Sequence, residues 1–367
     1  MNIVITGANG FIGKNFSFFL KEEKIYDVYH IVRDTSESDF NNALLNADFV
    51  FHLAGVNRSV NDDDFVVGNV DLTSRIVSTL KSSGRKVPLM LSSSIQVGAQ
   101  NSYGESKAAA EKLVEDYGHE TGSAIYIYRF PNVFGKWGRP NYNSFVATFC
   151  YNVINDIKIN IHESNSQVTL VYIDDLCRCL VALLKSDATS GFAEVIPEYK
   201  STVGDVANIL QDFKNSRNNL VTDNVGVGLT RALYSTYLSY MTPSQFSYTL
   251  PSYVDDRGLF CEVLKTKQAG QFSFFTAYPG ITRGGHYHHS KNEKFLVIKG
   301  EALFKFKHII TGEKFELKIN STQLKIVETV PGWTHDVTNI GNTELLVMLW
   351  ANEIFDRNAP DTIECQL

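Results

Sequence analysis

The sequence has few cysteines and no long apolar run. Its five cysteines, spread over 367 residues, include no Cys-x-x-Cys pair, a pattern typical of reduced thiols in a cytoplasmic protein. No apolar stretch approaches the ~20 residues that a helix needs to span a bilayer. The chain starts with a strand-like segment, Asn2–Thr6, and no basic leader, so we expect neither a membrane span nor a signal peptide.

The sequence also lacks a charge excess, internal repeats and low-complexity tracts. Lys and Arg number 34 against 40 Asp and Glu, so the net charge of −6 gives no reason to expect a nucleic acid or an acidic membrane as partner. The hydrophobic content of 44% and the charged content of 20% are those of an ordinary globular protein. The length suits two domains.

Up to about residue 190, short apolar strands alternate with amphipathic helices. This alternation predicts an α/β fold, a doubly wound parallel sheet of the Rossmann type that is buried on both faces. The predicted strands are Asn2–Thr6, Val28–Val32, Phe49–Leu53, Pro88–Ser92 and Ala124–Tyr128, and the predicted helices include Gly10–Lys21, Val70–Ser83 and Glu105–Tyr117.

After Met241–Ser244 the helical period disappears and short strands alternate with Gly, Pro and Asn turns. This pattern predicts an all-β antiparallel sandwich or barrel. We therefore expect two domains, residues 1–245 and 246–367, with a mixed region from about 190 to 245. Examples of the predicted strands are Phe295–Ile298, Ala302–Lys307, Lys314–Lys318 and Leu345–Trp350.

A glycine-rich loop, Gly7-Ala8-Asn9-Gly10-Phe11-Ile12-Gly13, joins the first predicted strand to the first helix. In such a loop Gly7 permits a tight turn, Gly10 lets the backbone approach a pyrophosphate, and Gly13 lets the helix pack closely on the strand. The free N–H groups at the helix start, at Phe11 and Ile12, suit phosphate oxygens. The position between a strand and a helix favours a dinucleotide site over a structural turn.

Arg33 follows the second predicted strand, where an acidic residue would bind the ribose 2′-hydroxyl of NAD. An arginine there suits a 2′-phosphate, so we expect NADPH as the cofactor. Asp34 is the next residue, and NAD stays open as the alternative.

Tyr103 and Lys107 lie four residues apart on a predicted helix, downstream of Ser92-Ser93-Ser94 at a strand end. A cation near a phenol favours the phenolate, so we expect Lys107 to lower the Tyr103 pKa from about 10. Tyr103 would then donate a proton to a carbonyl that receives a hydride, and Ser94 would hydrogen-bond the same oxygen. A solvated surface pair is the alternative interpretation.

These motifs resemble those of the extended short-chain dehydrogenase/reductases, which act largely on nucleotide-sugars. The resemblance covers roughly residues 1–245 and implies that Leu53, Ala54 and Gly55 also contact the cofactor, and that Asn132 approaches the substrate diphosphate. Where the family often has Arg-Asp-Phe, this chain has Val168-Thr169-Leu170, so the nucleotide contact is expected from Arg231 or Lys136. The further matching segments are His52-Leu53-Ala54-Gly55, Arg129-Phe130-Pro131-Asn132-Val133-Phe134-Gly135 and Tyr172-Ile173-Asp174-Asp175.

The second half contains a set of possible metal ligands: His286, His288, Glu293 and His335. Residues i and i+2 of a strand face the same side, so His286 and His288 can point together into a barrel. Three imidazoles and a carboxylate suit a divalent metal, with zinc as our first expectation and Fe, Mn or Ni as alternatives. The order and spacing resemble those of the cupins. His289 is expected to lie outside the ligand set.

Two segments, Asp255–Glu262 and Arg283–Tyr287, resemble the deoxysugar 3,5-epimerases, which are cupins acting on nucleotide-linked 4-keto-6-deoxy sugars. In that resemblance His286 is the general base. A coordinated imidazole nitrogen has no lone pair left for a proton, so the ligand and base interpretations conflict. We favour the metal, because His288 and Glu293 have no clear role in a metal-free site.

Together the two halves resemble a family of bifunctional capsular polysaccharide synthesis enzymes. The resemblance implies a homodimer that acts on UDP-2-acetamido-2,6-dideoxy-β-L-arabino-hexos-4-ulose, a UDP-4-keto-6-deoxy-HexNAc. The cupin would epimerise C3 and the reductase domain would then reduce the C4 ketone with NADPH, giving the precursor of UDP-N-acetyl-L-fucosamine.

Three alternatives remain at this stage. The cupin could be a metal-stabilised dimerisation module beside a working reductase. The amino-terminal domain could be a non-catalytic nucleotide sensor, which the intact Ser94, Tyr103 and Lys107 set disfavours. The chain could also be a 4-epimerase or 4,6-dehydratase, which would retain NAD through its catalytic cycle.

Overall fold

The structure is a computed structural model that describes residues 1–186 and 188–367. The chain packs as two units, Met1–Leu210 with Ala232–Tyr240, and Gln211–Arg231 with Met241–Leu367. This division follows packing alone, and the functional boundary near residue 245 stays a prediction. Within the described residues, every helix is too short or too polar to cross a membrane.

The first unit is built on a six-stranded parallel sheet in the order β2-β1-β3-β4-β5-β8. This confirms the predicted doubly wound α/β fold. The strands of this unit are β1 Asn2–Thr6, β2 Asp27–Ile31, β3 Phe49–His52, β4 Leu89–Ser94, β5 Ile125–Phe130, β6 Asn132–Phe134, β7 Gln167–Tyr172, β8 Gly191–Ala193 and β9 Tyr199–Thr202.

Helices cover the sheet, and β6, β7 and β9 form a separate three-stranded sheet. Short π and 3₁₀ segments occupy Val66–Asp71, Ile95–Gly98 and Pro243–Gln245. The helices of the chain are α1 Phe11–Glu23, α2 Glu37–Leu45, α3 Asp63–Phe65, α4 Leu72–Ser82, α5 Ser102–Thr121, α6 Phe145–Ile154, α7 Ile173–Leu183, α8 Val203–Asn219 and α9 Gly228–Leu238.

The central strands are apolar because both faces of the sheet are covered. All four residues of β3 and all six of β4 are buried, as expected for a parallel sheet between helices. Core side chains from the sheet, such as Val50 and Leu89, pack against helix residues such as Leu80 and Val114. Burial of this apolar surface stabilises the sheet whose carboxyl edge carries the site residues.

Local capping places the predicted catalytic helix. The side chain of Asn101 accepts a hydrogen bond from the Gly104 N–H at 2.8 Å, so α5 begins at Ser102, three residues earlier than its sequence pattern predicts. Gly122 ends the helix in a left-handed conformation, with φ of 67°. Tyr103 and Lys107 therefore lie in the first two turns, beside the end of β4.

The second unit contains the end of α8 and the start of α9, and from Ser252 onward it is built of β-strands, as predicted. Its two sheets have the orders β10-β12-β13-β20-β15-β18 and β17-β16-β19-β14-β21. Apart from the parallel pair β10–β12, its strands pair antiparallel. Its strands are β10 Val221–Thr222, β11 Ser252–Asp255, β12 Gly258–Thr266, β13 Gly270–Ala277, β14 Thr282–Tyr287, β15 Glu293–Lys299, β16 Glu301–His308, β17 Lys314–Asn320, β18 Ile326–Glu328, β19 Trp333–Asn339, β20 Leu345–Ala351 and β21 Ile363–Glu364.

An aromatic and aliphatic core lies between these two sheets. Phe304 of β16 meets Phe295 of β15 with ring centroids 5.8 Å apart, and Val337 and Val347 belong to the same cluster. The alternation of buried and exposed residues along β16 follows from the period of two in a strand. This core fixes the strands that carry the candidate ligands.

Replacing Phe304 by Ala is expected to destabilise the second unit by about 3–5 kcal/mol, because a side chain only 1% exposed leaves a cavity. Urea unfolding followed by circular dichroism measures the loss. The matched control is Phe272→Ala, where a ring that is 42% exposed should contribute no more than about 1 kcal/mol. Equal losses in the two variants would contradict the assigned core.

Candidate functional site

The glycine-rich loop forms a tight turn at the start of α1. The Gly7 N–H donates to the Ile31 carbonyl at 3.0 Å, and the Gly10 N–H donates to the Gly7 carbonyl at 2.9 Å. Gly10 caps α1 and has no side chain that could accept from the first N–H groups of the helix, at Phe11 and Ile12. These groups and the positive end of the helix dipole suit a phosphate.

Two of the glycines are required by close backbone contacts. A Cβ on Gly13 would lie 2.3 Å from the Gly7 carbonyl oxygen, so the helix can approach the loop only without a side chain there. Gly7 has a φ of +70°, and a Cβ on it would lie 2.7 Å from the backbone of Ala54. The loop therefore packs against the segment Leu53–Gly55, which the family resemblance assigns to the cofactor.

His52 joins three elements behind the loop. Its Nδ1 lies 2.7 Å from the Thr6 hydroxyl and its Nε2 lies 2.9 Å from the Thr73 hydroxyl. Thr73 donates to the Asn69 carbonyl, so Thr73 accepts from His52 Nε2–H and Thr6 donates to Nδ1. Burial, together with the charge of Lys107, lowers the pKa of His52 to about 3. The imidazole is therefore a neutral structural link.

Lys107 is buried, with 6% of its surface exposed, and its Nζ donates to the Ser92 carbonyl at 2.8 Å. A Cβ on Gly55 would lie 3.2 Å from this Nζ, so the ammonium rests against the backbone of that glycine. Burial lowers the pKa of Lys107 to about 8, and the nearby Glu111 carboxylate acts in the opposite direction. The side chain bridges the ends of β3 and β4.

Tyr103 lies beside Ser94 but does not have the predicted pKa. Burial raises the pKa of Tyr103, and a hydrogen bond with Ser94 lowers it only in part. The expectation that Lys107 lowers this pKa is wrong for this structure, because burial has the largest effect and raises it. The Lys107 ammonium donates to the Ser92 carbonyl. A phenol that keeps its proton remains suited to donate it.

Sequence reasoning missed two groups that support this set. Glu111, four residues after Lys107, is buried and accepts two hydrogen bonds from Arg129, at 3.0 and 2.7 Å. Its spacing of four residues from Lys107 on one helix face could have indicated this supporting role from the sequence. Asn69 in the π-helix donates to the Ser106 hydroxyl at 2.9 Å and to the Val56 carbonyl at 3.0 Å, a contact with no local sequence pattern.

The predicted nucleotide and substrate contacts lie further apart. Arg33 is exposed just after β2. Asn132 is the exposed first residue of β6, and its side chain donates to the Thr169 carbonyl at 3.4 Å. Arg231 lies in α9 in the portion that packs with the second unit. Lys136 forms an ion pair with Asp174. The roles of Arg33, Asn132 and Arg231 stay predictions.

In the second unit, the four predicted ligands converge. One ligand atom from each of His286, His288, Glu293 and His335 lies within 4.8 Å of all the others. Glu293 Oε2 is 3.4 Å from His288 Nε2 and 3.5 Å from His335 Nε2. His289 is exposed and outside this set. The strands bring together side chains that are almost 50 residues apart in the sequence.

Strand geometry explains the convergence. His286 in β14 pairs directly with His335 in β19, across an irregularity that follows Gly284. Gly284 and Gly285 have φ values of 103° and 81°, a conformation that side chains rarely allow. Glu293 opens β15, where its N–H donates to the Thr329 hydroxyl at 2.8 Å.

The electrostatics of the cluster favour a bound cation. Burial alone would raise the pKa of Glu293, but the polar imidazoles of His288 and His335 beside it and the ammonium of Lys291 hold it well below its usual range. Burial and the neighbouring His335 lower the pKa of His286 to about 4. The set therefore includes an ionised carboxylate beside a neutral His286 imidazole, the protonation states in which these two groups bind metals.

Both ring nitrogens of His335 are buried and have no hydrogen-bond partner among the described residues. Such orphaned groups are costly in a folded protein. A metal ion at the convergence point would satisfy one of them, and three nitrogens with one carboxylate oxygen are typical ligands for a zinc ion. The residues present fit the predicted divalent metal.

A cavity of about 580 Å³ reaches the cluster at Glu293 and Lys291. Its other walls include Phe260 and Glu262, from the first epimerase-like segment, and Arg357. From the second segment, Arg283 lies over the Phe275 ring and donates to the Thr276 carbonyl at 2.9 Å. The cavity is large enough for part of a small-molecule ligand.

A parallel sheet with a glycine-rich loop after its first strand is the architecture of a dinucleotide-binding domain. The chain belongs to the NAD dependent epimerase/dehydratase family, which it matches over residues 3–195. Residues 253–363 match a second family, the polysaccharide biosynthesis C-terminal domain. The first match supports a nicotinamide cofactor.

Two full-length similarities are more specific. The chain is 51% identical to the UDP-2-acetamido-2,6-beta-L-arabino-hexul-4-ose reductase of Pseudomonas aeruginosa, over 100% of this chain and 99% of that protein. The crystal structure of the capsular polysaccharide assembling protein CapF from Staphylococcus aureus is 41% identical, covers both chains fully and has a TM-score of 0.91. The expected resemblance to the capsular polysaccharide enzymes is confirmed.

A more distant structure shares the fold alone. UDP-glucuronic acid 4-epimerase from Bacillus cereus, in complex with NAD, is 18% identical with a TM-score of 0.57. It covers 65% of this chain and 98% of its own.

The neutral buried His52 predicts an acid sensitivity. Unfolded histidine titrates near 6.5 and folded His52 near 3, so the unfolded state binds more protons in this window and stability falls as pH falls through it. Between pH 7 and pH 5 this amounts to about 2 kcal/mol. Urea unfolding at the two pH values should show a smaller loss in His52→Asn than in the wild type. Equal losses would contradict the assignment.

Proposed function

We propose that this chain is an NADPH-dependent reductase of a UDP-linked 4-keto sugar, and that its second unit epimerises C3 of the same sugar. The observation that carries the proposal is the presence on one chain of a set made of buried Ser94 and Lys107 with half-buried Tyr103, and of a convergent metal-ligand cluster. The full-length similarity to a reductase of a 4-keto UDP-sugar supports the substrate class.

In the reductase site, NADPH supplies the hydride that C4 receives. Tyr103 donates its phenolic proton to the C4 oxygen as the C–H bond forms, and the Ser94 hydroxyl hydrogen-bonds the same oxygen. Lys107, fixed between Gly55 and the Ser92 carbonyl, would hold a cation close to the bound nucleotide. Arg33 would contact the 2′-phosphate, which is the basis for NADPH over NAD.

The assignment of substrate contacts follows the family resemblance. Asn132 would approach the diphosphate and Arg231 the nucleotide. Residues 1–245 would carry the reductase and residues 246–367 the cupin; the two family matches lie within these ranges, at residues 3–195 and 253–363.

In the second unit, His286, His288, Glu293 and His335 would hold a divalent metal, with zinc as our first choice. The ion would supply positive charge in a pocket of low dielectric, where a developing negative charge is strongly stabilised. With His286 as a ligand, its coordinated nitrogen is not available as a base. The cavity that reaches Glu293 is our candidate for the sugar site.

The chemistry of the ketone orders the two reactions. A C4 ketone acidifies the C3–H, since the electron pair left after proton removal delocalises onto the carbonyl oxygen. Return of a proton to the opposite face inverts C3. Reduction of C4 then removes that acidity and fixes the new configuration, so epimerisation precedes reduction and the hydride transfer drives the sequence forward.

We further propose UDP-2-acetamido-2,6-dideoxy-β-L-arabino-hexos-4-ulose as the substrate, and a cytoplasmic homodimer as the working form. The product would be the precursor of UDP-N-acetyl-L-fucosamine in capsule or O-antigen biosynthesis. The similarity to the capsular polysaccharide assembling protein CapF supports this role.

The alternative function is a reductase whose second unit is only a metal-stabilised dimerisation module. The same ligand cluster favours it, because a structural metal needs the same side chains. Removal of the metal with a chelator separates the two: loss of the dimer with unchanged C3 chemistry supports the module, whereas loss of C3 chemistry supports the epimerase.

Replacing Tyr103 by Phe should lower kcat for NADPH oxidation by roughly 10²–10⁴-fold, because the proton donor is removed. Absorbance at 340 nm with the UDP-4-keto sugar measures the rate. NADPH affinity, measured by fluorescence titration, should stay near the wild-type value.

The matched control is Tyr117→Phe on the same helix. The Tyr117 hydroxyl donates to the buried Val87 carbonyl at 2.7 Å, so its loss should cost about 1 kcal/mol of stability and leave kcat unchanged. NADPH oxidation by Tyr103→Phe at the wild-type rate would remove Tyr103 from the reaction.

A further inference from the structure

The last residues of the chain lie directly on the segment that supplies two of the four candidate ligands. Asp361 accepts hydrogen bonds from three consecutive backbone N–H groups, those of His289 at 2.9 Å, Ser290 at 2.7 Å and Lys291 at 2.7 Å. The Ser290 hydroxyl adds a fourth at 3.1 Å. One carboxylate thus fixes the turn between His288 and Glu293.

The backbone of Asp361 acts on a ligand directly. Its carbonyl oxygen lies 2.5 Å from Nδ1 of His288. A carbonyl oxygen can only accept, so Nδ1 carries a proton, and in the neutral tautomer that this contact selects, Nε2, the nitrogen that faces Glu293, holds the lone pair that a metal needs. Histidines that bind metals generally donate their second N–H to a carbonyl or carboxylate, which fixes the tautomer and the ring orientation.

The residues that follow hold the neighbouring strand. β21 pairs with the end of β14, with Glu364 opposite His286 and Ile363 opposite Tyr287. The Cys365 N–H donates to the Gly285 carbonyl at 2.9 Å. The Cys365 carbonyl accepts from the Thr334 hydroxyl at 2.6 Å, next to His335.

We propose that residues 361–365 are a C-terminal latch for the metal site, and that Asp361 is a positioning residue that sets the tautomer and orientation of His288. This inference rests on the proposed metal site and extends it to a segment about 70 residues away in the sequence. Metal affinity would then depend on a residue that contributes no ligand atom.

The test is a titration of the full-length, metal-free protein with Co²⁺ alone, followed by its visible ligand-field absorption. The wild type should bind one Co²⁺ per chain. Asp361→Ala should bind it roughly 10–100-fold more weakly, the usual effect of losing a group that supports a metal ligand. Asp361→Asn keeps one acceptor oxygen and should fall between the two.

The matched control is Glu364→Gln in the same segment. The Glu364 side chain is exposed, and Glu364 pairs with His286 of β14 through backbone groups alone. This variant should therefore keep the wild-type affinity for Co²⁺. The melting temperature of each metal-free variant separates positioning from stability, because a purely structural role lowers it without changing the Co²⁺ affinity or spectrum.

The outcomes distinguish the two proposals. Wild-type Co²⁺ binding with unchanged affinity in Asp361→Ala would overturn the latch and leave the metal site standing. A wild type that shows no Co²⁺ band would overturn both. If metal-free Asp361→Ala does not fold, Asp361→Asn decides: weaker binding than in Glu364→Gln supports the latch, and equal binding overturns it.

Discussion

The convergence of three imidazoles and one carboxylate on a single buried point is the constraint on which the second unit depends. Burial removes Glu293 and His335 from water, which costs free energy. Among the described residues, neither ring nitrogen of His335 has a hydrogen-bond partner to offset that cost. A cation bound by these four side chains would offset this free-energy cost. The strand irregularity at Gly284, the turn fixed by Asp361 and the opening of β15 all serve this arrangement.

The first unit also buries a charged side chain, and there protein groups stabilise the charge. Lys107 is a buried cation whose hydrogen bond to Ser92 and proximity to Glu111 offset part of the burial penalty. In our proposal this cation lies close to the bound nucleotide. In our proposal both units hold a positive charge, or a site for one, close to where a carbonyl oxygen would gain negative charge.

One ketone connects the two sites in our proposal. As an electron sink the ketone permits inversion at C3. Once the ketone has accepted a hydride, the C3–H is no longer acidic and C3 cannot be inverted again. A single chain with both sites would carry out both the reversible epimerisation at C3 and the reduction at C4 that consumes its product. This relation is a property of the substrate chemistry and does not require any contact between the two units.

Much of the fold was predictable from the sequence because the local period of apolar residues indicates which segments form strands and which form helices. The predicted strands of the parallel sheet begin and end within two residues of the observed ones. Residue order and spacing, together with the resemblance to the cupins, grouped the four side chains that converge in the second unit. Burial was not predictable: it reverses the expected direction of the Tyr103 pKa shift. Contacts between distant segments, such as those of Asn69 and Asp361, have no local signal.

The most direct test of the account is hydrogen exchange at C3 of the UDP-4-keto sugar. The sugar is incubated with the metal-loaded enzyme in heavy water, without NADPH, and followed by proton NMR. The account predicts loss of the C3 proton signal as deuterium enters, while the C4 ketone persists. A C3 signal that keeps its full intensity would contradict the epimerase and leave a reductase alone.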